Sequence, residues 1–212
     1  MRRGSEPRIG GGSRPRWWRP EACARTLGVI AWLLVPTPRA AAASEVVLEN
    51  QHVRVTRGAA PCAQAGAGCA ERVVVMLGGG PDRGRVEVFE TGARYSPPPG
   101  DYLEVAIKPG RPPVKSPPVL IPPDKNSILY EGTGFFVFEE KLAPGDTRAR
   151  HSHRERVVIV INRTRLQQWP DDAPPLFRDQ IPDDVRFNPP VVHVVKTVGD
   201  APLRNIVIEF TR

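Results

Sequence analysis

The sequence predicts an all-β protein, and three features predict it. Apolar residues fall in short runs rich in Val, Ile and Phe, and few stretches repeat at helical spacing. The 25 prolines cluster in the connections between those runs, where they set turns and stop helices. Around residues 148–156 the charges sort with a period of two, as they do on the two faces of a strand.

Residues 46–55 read as one strand, with His52 on its surface. A loop carrying Cys62 and Cys69 follows, then a strand over Glu71-Arg72-Val73-Val74-Val75-Met76-Leu77 and a turn at Gly78-Gly79-Gly80-Pro81-Asp82. That glycine run is not a phosphate loop, because no Lys-Ser or Lys-Thr follows and no helix is signalled. Strands are predicted at 85–89 and 102–108, and the proline-rich residues 109–123 form an extended connection. Further strands are predicted at Ile128-Leu129-Tyr130 and over residues 135–140, ahead of a turn at Pro144-Gly145. After the histidine-bearing strand comes Val157-Val158-Ile159-Val160-Ile161, whose β-branched residues favour a buried strand. Asn162-Arg163-Thr164, also a glycosylation sequon, makes a hairpin into residues 165–169, where Trp169 is expected to pack. Residues 169–186 are rich in Pro and Asp without periodicity and are expected to form a loop near a binding site that covers a ligand. A strand over 205–210 ends the pattern.

Length allows one domain of ordinary size or two small ones, since the chain has 212 residues. The formal charge of +7 would suggest a nucleic-acid partner, yet it is unevenly placed. Residues 1–43 hold eight arginines against Glu6 and Glu21, which leaves 22 basic and 21 acidic residues in the remainder. DNA or RNA binding by the folded part is therefore not expected. The leader has the form of a secretory signal: arginines, an apolar run over 27–35, then Ala40-Ala41-Ala42-Ala43 before Ser44. The apolar run is too short for an ordinary membrane span, which needs about 20 residues. Cleavage after Ala43 is expected, giving a secreted or periplasmic protein with no stable membrane span; an uncleaved anchor is the alternative. Cys23 leaves with the leader, and in an oxidising compartment Cys62 and Cys69 are expected to form a disulfide.

Chemistry concentrates in His151, His153 and His193, three of the four histidines. In an extended strand residues 151 and 153 share a face roughly 6.6 Å apart along the backbone, close enough to share a metal ion. By the same parity Glu155 joins them, while Arg148, Arg150, Arg154 and Arg156 take the other face.

Gly145, then five residues, then His151-Ser152-His153 resembles the first motif of the cupin superfamily. Phe187-Asn188-Pro189-Pro190-Val191-Val192-His193 resembles the second. Val157 and Val158 stand where the family usually has a glutamate ligand, and Thr197 where it has an asparagine. The resemblance implies a double-stranded β-helix (cupin, jelly-roll) barrel with a three-histidine pocket. It also implies a divalent transition metal, Fe, Zn, Mn, Ni or Cu, held by His151, His153 and His193, and a small-molecule ligand or substrate. Glu155, Gln167, Gln168 and Tyr130 are candidates for the surrounding shell, with Arg165 a further helper. The activities implied are those of a metal-dependent oxygenase or of an isomerase or hydrolase. The alternatives are a non-catalytic small-ligand-binding barrel and a purely structural one. Cupin-like proteins often dimerise, so a homodimer is also an expectation.

A weak internal repeat accompanies the motifs. Residues 71–75 match Glu155-Arg156-Val157-Val158-Ile159 at an offset of 84, and residues 89–95 resemble 187–193 at an offset of 98. Ala67, Cys69 and Tyr95 then occupy the places of the three histidines. Two pseudo-repeated, bicupin-like lobes are expected: a signal peptide over 1–43, a degenerate lobe without ligands over 44–110, a proline-rich linker over 111–125 and the histidine-bearing lobe over 126–212.

Overall fold

A run such as Val157-Val158-Ile159-Val160-Ile161 has no polar face to show to water, so it must lie in a sheet covered on both sides. The computed structural model, which describes residues 44–58, 69–94 and 98–212, places it in such a sheet. Fourteen strands make up the described chain: β1 (Glu45–Glu49), β2 (Val53–Arg57), β3 (Arg72–Met76), β4 (Val86–Phe89), β5 (Tyr102–Ile107), β6 (Asn126–Glu131), β7 (Phe135–Leu142), β8 (Thr147–His153), β9 (Arg156–Val160), β10 (Thr164–Pro170), β11 (Leu176–Gln180), β12 (Val185–Asn188), β13 (Val191–Thr197) and β14 (Leu203–Phe210). The all-β expectation holds, and among the described residues no helix is long and apolar enough to cross a membrane.

The strands form three antiparallel sheets with orders β1-β2-β5-β3-β4, β12-β9-β14-β7-β6 and β11-β10-β13-β8. The second and third make the two walls of a barrel. On the outer face of the second sheet, Phe135, Val137, Val157, Ile159, Ile161, Ile206, Ile208 and Phe210 pack against Val53, Val55, Val73, Val75, Leu103, Val105 and Ile107 of the first. Residues of the opposite parity, such as Phe138, Val158 and Val207, face into the barrel. Two covered faces thus explain why these strands are apolar almost throughout.

The first sheet repeats the strand order of the second, with β1, β2, β3, β4 and β5 in the places of β6, β7, β9, β12 and β14. The repeat seen in sequence falls on corresponding strands, β3 with β9 and β4 with β12. Counterparts of β8, β10, β11 and β13, the strands of the histidine-bearing wall, are lacking among the described residues. The described residues between 45 and 107 form one sheet that shares a core with the barrel; the division into two lobes stays an expectation. Residues 108–125 carry no strand, as expected of the proline-rich segment, and Ile121 runs beside β8 by exchanging hydrogen bonds with Ser152.

Three expectations are corrected. Residues 46–55 form two strands, because the Asn50 side chain accepts the backbone N–H groups of His52 at 2.8 Å and Val53 at 3.0 Å and so makes a turn. His52, expected on the surface, is 1% exposed and stacks on Phe187 at 5.2 Å. Residues 169–186 are not a loop: they contain β11 and the start of β12, and β11 extends the histidine-bearing wall through β10. The leader, Cys62, Ala67 and Tyr95 lie outside the described residues. Cys69 is buried, and its expected bridge to Cys62 stays an expectation because Cys62 lies outside the described residues.

The face shared by the first and second sheets should be a principal source of stability. Ile159→Ala is expected to cost about 2–5 kcal/mol, as for other fully buried aliphatic truncations. A lowered urea midpoint with an unchanged slope would show it, and metal uptake by the folded fraction should be unaltered because Ile159 faces away from the histidines.

Candidate metal centre

Gly145 begins the construction of the site. Its φ of +80° lies in the left-handed region that favours glycine, and its N–H donates to Thr197 O, which closes the turn into β8. From there β8 runs antiparallel to β13, in a register that sets His151 directly opposite His193. His153 lies two residues along β8 on the same face. The expectation that side chains from two separate ribbons converge is met: His151 Nε2 and His193 Nε2 are 3.1 Å apart. One nitrogen from each of the three rings lies within 4.8 Å of the others, and all three rings are buried.

In two of the three rings the outer nitrogen tells which inner nitrogen is free. His151 Nδ1 lies 2.8 Å from Ala149 O, and His153 Nδ1 lies 2.8 Å from Glu209 Oε2. A carbonyl or a carboxylate can only accept here, so both Nδ1 atoms carry the proton and both Nε2 lone pairs face the interior. His193 Nδ1 is buried without a hydrogen-bond partner among the described residues. Burial is the main force that holds all three imidazoles neutral. It lowers His151 and His153, with the Arg156 charge adding to the effect on His153, and it lowers His193 to about 2, with the other two histidines contributing.

The donor set fits a divalent transition metal. Neutral imidazole nitrogens bind such ions at about 2.0–2.1 Å, so two of them on one ion stand roughly 3 Å apart at angles near 90–110°. The separation between His151 and His193 agrees. Glu209 supplies the carboxylate that orients a ligating histidine from behind and raises its basicity. Burial pushes the Glu209 carboxyl up, while the Arg154 N–H and the Arg156 charge draw it back.

Two backbone irregularities change the parity expected from sequence. Between His193 and Val195 the ladder slips, so that β8 carries one extra residue there and Arg148 pairs with Val195. Arg148 consequently faces inward, fully buried, and its Nη1 donates to Glu140 Oε1 at 2.7 Å. Asn205 holds the other oxygen of Glu140 at 2.9 Å. At residues 154–155 the chain bends between β8 and β9. This turns Arg156 inward and Glu155 outward, where Glu155 Oε2 lies 3.5 Å from His52 Nε2 and accepts the Lys115 N–H. Glu155 is thus not beside the histidines, and no other carboxylate joins them in the ligand group among the described residues.

Of the remaining candidates, Gln168 lines the interior beside His153 and His193. Gln167 has the opposite parity on β10 and does not line it, while Tyr130 packs on Phe135 at 5.4 Å in the core between the first and second sheets. Arg165 is exposed, over the Phe177 ring. Sequence reasoning missed Glu209, Glu140, Asn205 and Arg148. The apolar strand interrupted by Asn205 and Glu209 was the available signal, since buried polar residues at one parity mark a polar interior.

A four-stranded and a five-stranded antiparallel sheet face each other around an interior entered by a Gly-x5-His-x-His strand, with a third histidine opposite the first. The fold is that of a cupin. No family model and no curated protein matches the sequence. Solved structures similar to this chain include a cupin domain from Bordetella pertussis Tohama I, with 18% identity over 41% of this chain and 92% of that one at a TM-score of 0.39. Another is AerE from Microcystis aeruginosa, with 12% identity over 80% and 97% at 0.45. A third is an RmlC-like cupin family protein with a double-stranded β-helix fold from Methanocaldococcus jannaschii, with 11% identity over 49% and 93% at 0.35.

Two measurements bear on this centre. Glu209→Gln should weaken cobalt or zinc binding by about 10–100-fold in competition with a chelator, the range typical for lost outer-sphere partners. In the metal-free protein the unfolded chain takes up protons below its histidine pKa of about 6.5, whereas the folded chain, with these pKa values lowered, takes them up only at more acid pH. The histidines' contribution is therefore full above pH 6.5 and declines below it. Urea midpoints should fall from pH 7 to pH 5, and His193→Gln should make that fall shallower.

Proposed function

We propose that this cupin binds one divalent transition metal through His151, His153 and His193 and uses it on a small-molecule substrate. The observation that carries the reading is the convergence of neutral, buried ring nitrogens, with two Nε2 atoms 3.1 Å apart and a carboxylate behind the third ring. When bound, an ion held by uncharged ligands keeps its full charge and polarises a water, carbonyl or oxygen ligand strongly. The chain's own contribution is to hold the rings. Glu209 fixes the tautomer of His153, Ala149 O fixes that of His151, and burial excludes bulk water. Oxygenase chemistry at iron and isomerase or hydrolase chemistry at a redox-silent ion both suit such a centre.

A metal-free barrel for a small polar ligand is the second reading. The His151–His193 contact favours it to the extent that 3.1 Å is also the length of an N–H···N hydrogen bond. Elemental analysis of protein purified without a histidine tag separates the two. Near one equivalent of metal is expected, and less than about a tenth after reconstitution would remove the first reading. His151→Ala with His153→Ala should abolish uptake and leave the far-UV spectrum of the apo fold unchanged. We also propose export, on the strength of the leader: intact mass of the exported protein should begin at Ser44, and a mass retaining residues 1–43 would show an anchor.

A further inference from the structure

Past the histidines the barrel interior becomes cationic. Its lining includes Arg156 from β9, Arg178 from β11 and Arg186 from β12, with the amides of Gln168, Gln180 and Asn188 between them, around a cavity of about 30 Å³. The three arginines differ in what they already hold. Arg186 is occupied: its Nε and Nη2 donate to Asp184 Oδ2 at 2.9 and 2.5 Å, and Nη2 also donates to Asp179 O. Arg156 is buried, at 6% exposure, and forms no ion pair among the described residues; its Nη1 donates to Arg154 O and Pro189 O, and its Nε and Nη2 form no hydrogen bond with a described residue. Arg178 is half-buried and forms neither an ion pair nor a hydrogen bond among the described residues.

The carboxylates whose fields reach Arg156 are committed elsewhere. Glu209 accepts from His153 and the Arg154 N–H, and Glu140 from Arg148 and Asn205. A buried guanidinium without a contacting counter-ion is costly, and burial does lower Arg156 from its ordinary value to about 10. A second such group opposite it adds repulsion that an anion between them would turn into attraction. Planar forks of N–H donors match the two oxygens of a carboxylate, and the side-chain amides supply further donors. The cavity has room for a group of about one or two waters in size, which suits a carboxylate head and not a ring system.

We propose that the substrate of the three-histidine centre is a small carboxylate, whose anionic end lies between Arg156 and Arg178 with Gln168, Gln180 and Asn188 around it. The substrate role rests on the metal-centre reading, whereas the anion site itself belongs to the arginines. His153 and His193 line the same cavity, which places that anionic end beside the rings proposed to hold the metal.

Metal-stripped full-length protein, heated in acetate or in the neutral isostere acetamide at constant ionic strength, tests this. Acetate should raise Tm in a saturable way and acetamide should not. Arg178→Gln, on a half-exposed strand position without partners to lose, should need at least tenfold more acetate for half the shift, and Arg178→Lys should recover part of it. Equal responses to acetate and acetamide, or an Arg178→Gln response equal to that of the original protein, would overturn the inference. The His151→Ala, His153→Ala protein should still respond to acetate. If metal analysis fails while the acetate response stands, the metal reading alone falls; if metal is bound and acetate behaves as acetamide, the anion site alone falls.

Discussion

Side chains along β9 and β14 alternate between two environments, neither of them bulk water. One parity enters the apolar layer under the first sheet, with Val157, Ile159, Ile206 and Ile208; the other enters the barrel, with Arg156, Val158, Asn205, Val207 and Glu209. The first set provides apolar burial, and the second can therefore include charged groups whose desolvation the rest of the fold must offset. Moving either strand by one residue would exchange these sets, placing Arg156 and Glu209 against aliphatic neighbours. The register of the middle sheet is thus the constraint on which both core and chamber depend.

Within the chamber, burial does chemical work by fixing protonation. Imidazoles taken out of water lose their affinity for a proton, so the three rings present lone pairs across the whole neutral range. The surrounding charges are divided by their contacts. Glu140 is matched by Arg148, with Asn205 holding its second oxygen, and Glu209 is tied to His153 and the Arg154 N–H. What remains unmatched is positive and lies on the side toward Arg156 and Arg178, so the interior is polarised from one end to the other.

Features set by local spacing were legible in the sequence. Gly145, His151 and His153 fall within nine residues, and the turn and the strand parity follow from elementary geometry; His193 came from its Pro-flanked surroundings. The short apolar runs likewise gave most strands, and the pairing of residues 71–75 with 155–159 marked strands that do occupy corresponding places in two sheets. Failures arose where backbone parity breaks. One extra residue in β8 reversed Arg148, and the bend at 154–155 reversed both Glu155 and Arg156. Glu209 escaped because its partner is 56 residues away and no motif links them. His52 escaped because a polar residue after a turn looks exposed until another sheet is laid over it.

The sheet formed within residues 45–107 has a mate in strand order but, among the described residues, no second wall of its own. Its apolar face is satisfied by the outside of the barrel, and the barrel's outside is satisfied in return. A jelly roll lacking such an appendage would leave that broad aliphatic surface for another subunit to cover. Here the chain shields itself, so this surface stays dry without a second copy laid over it.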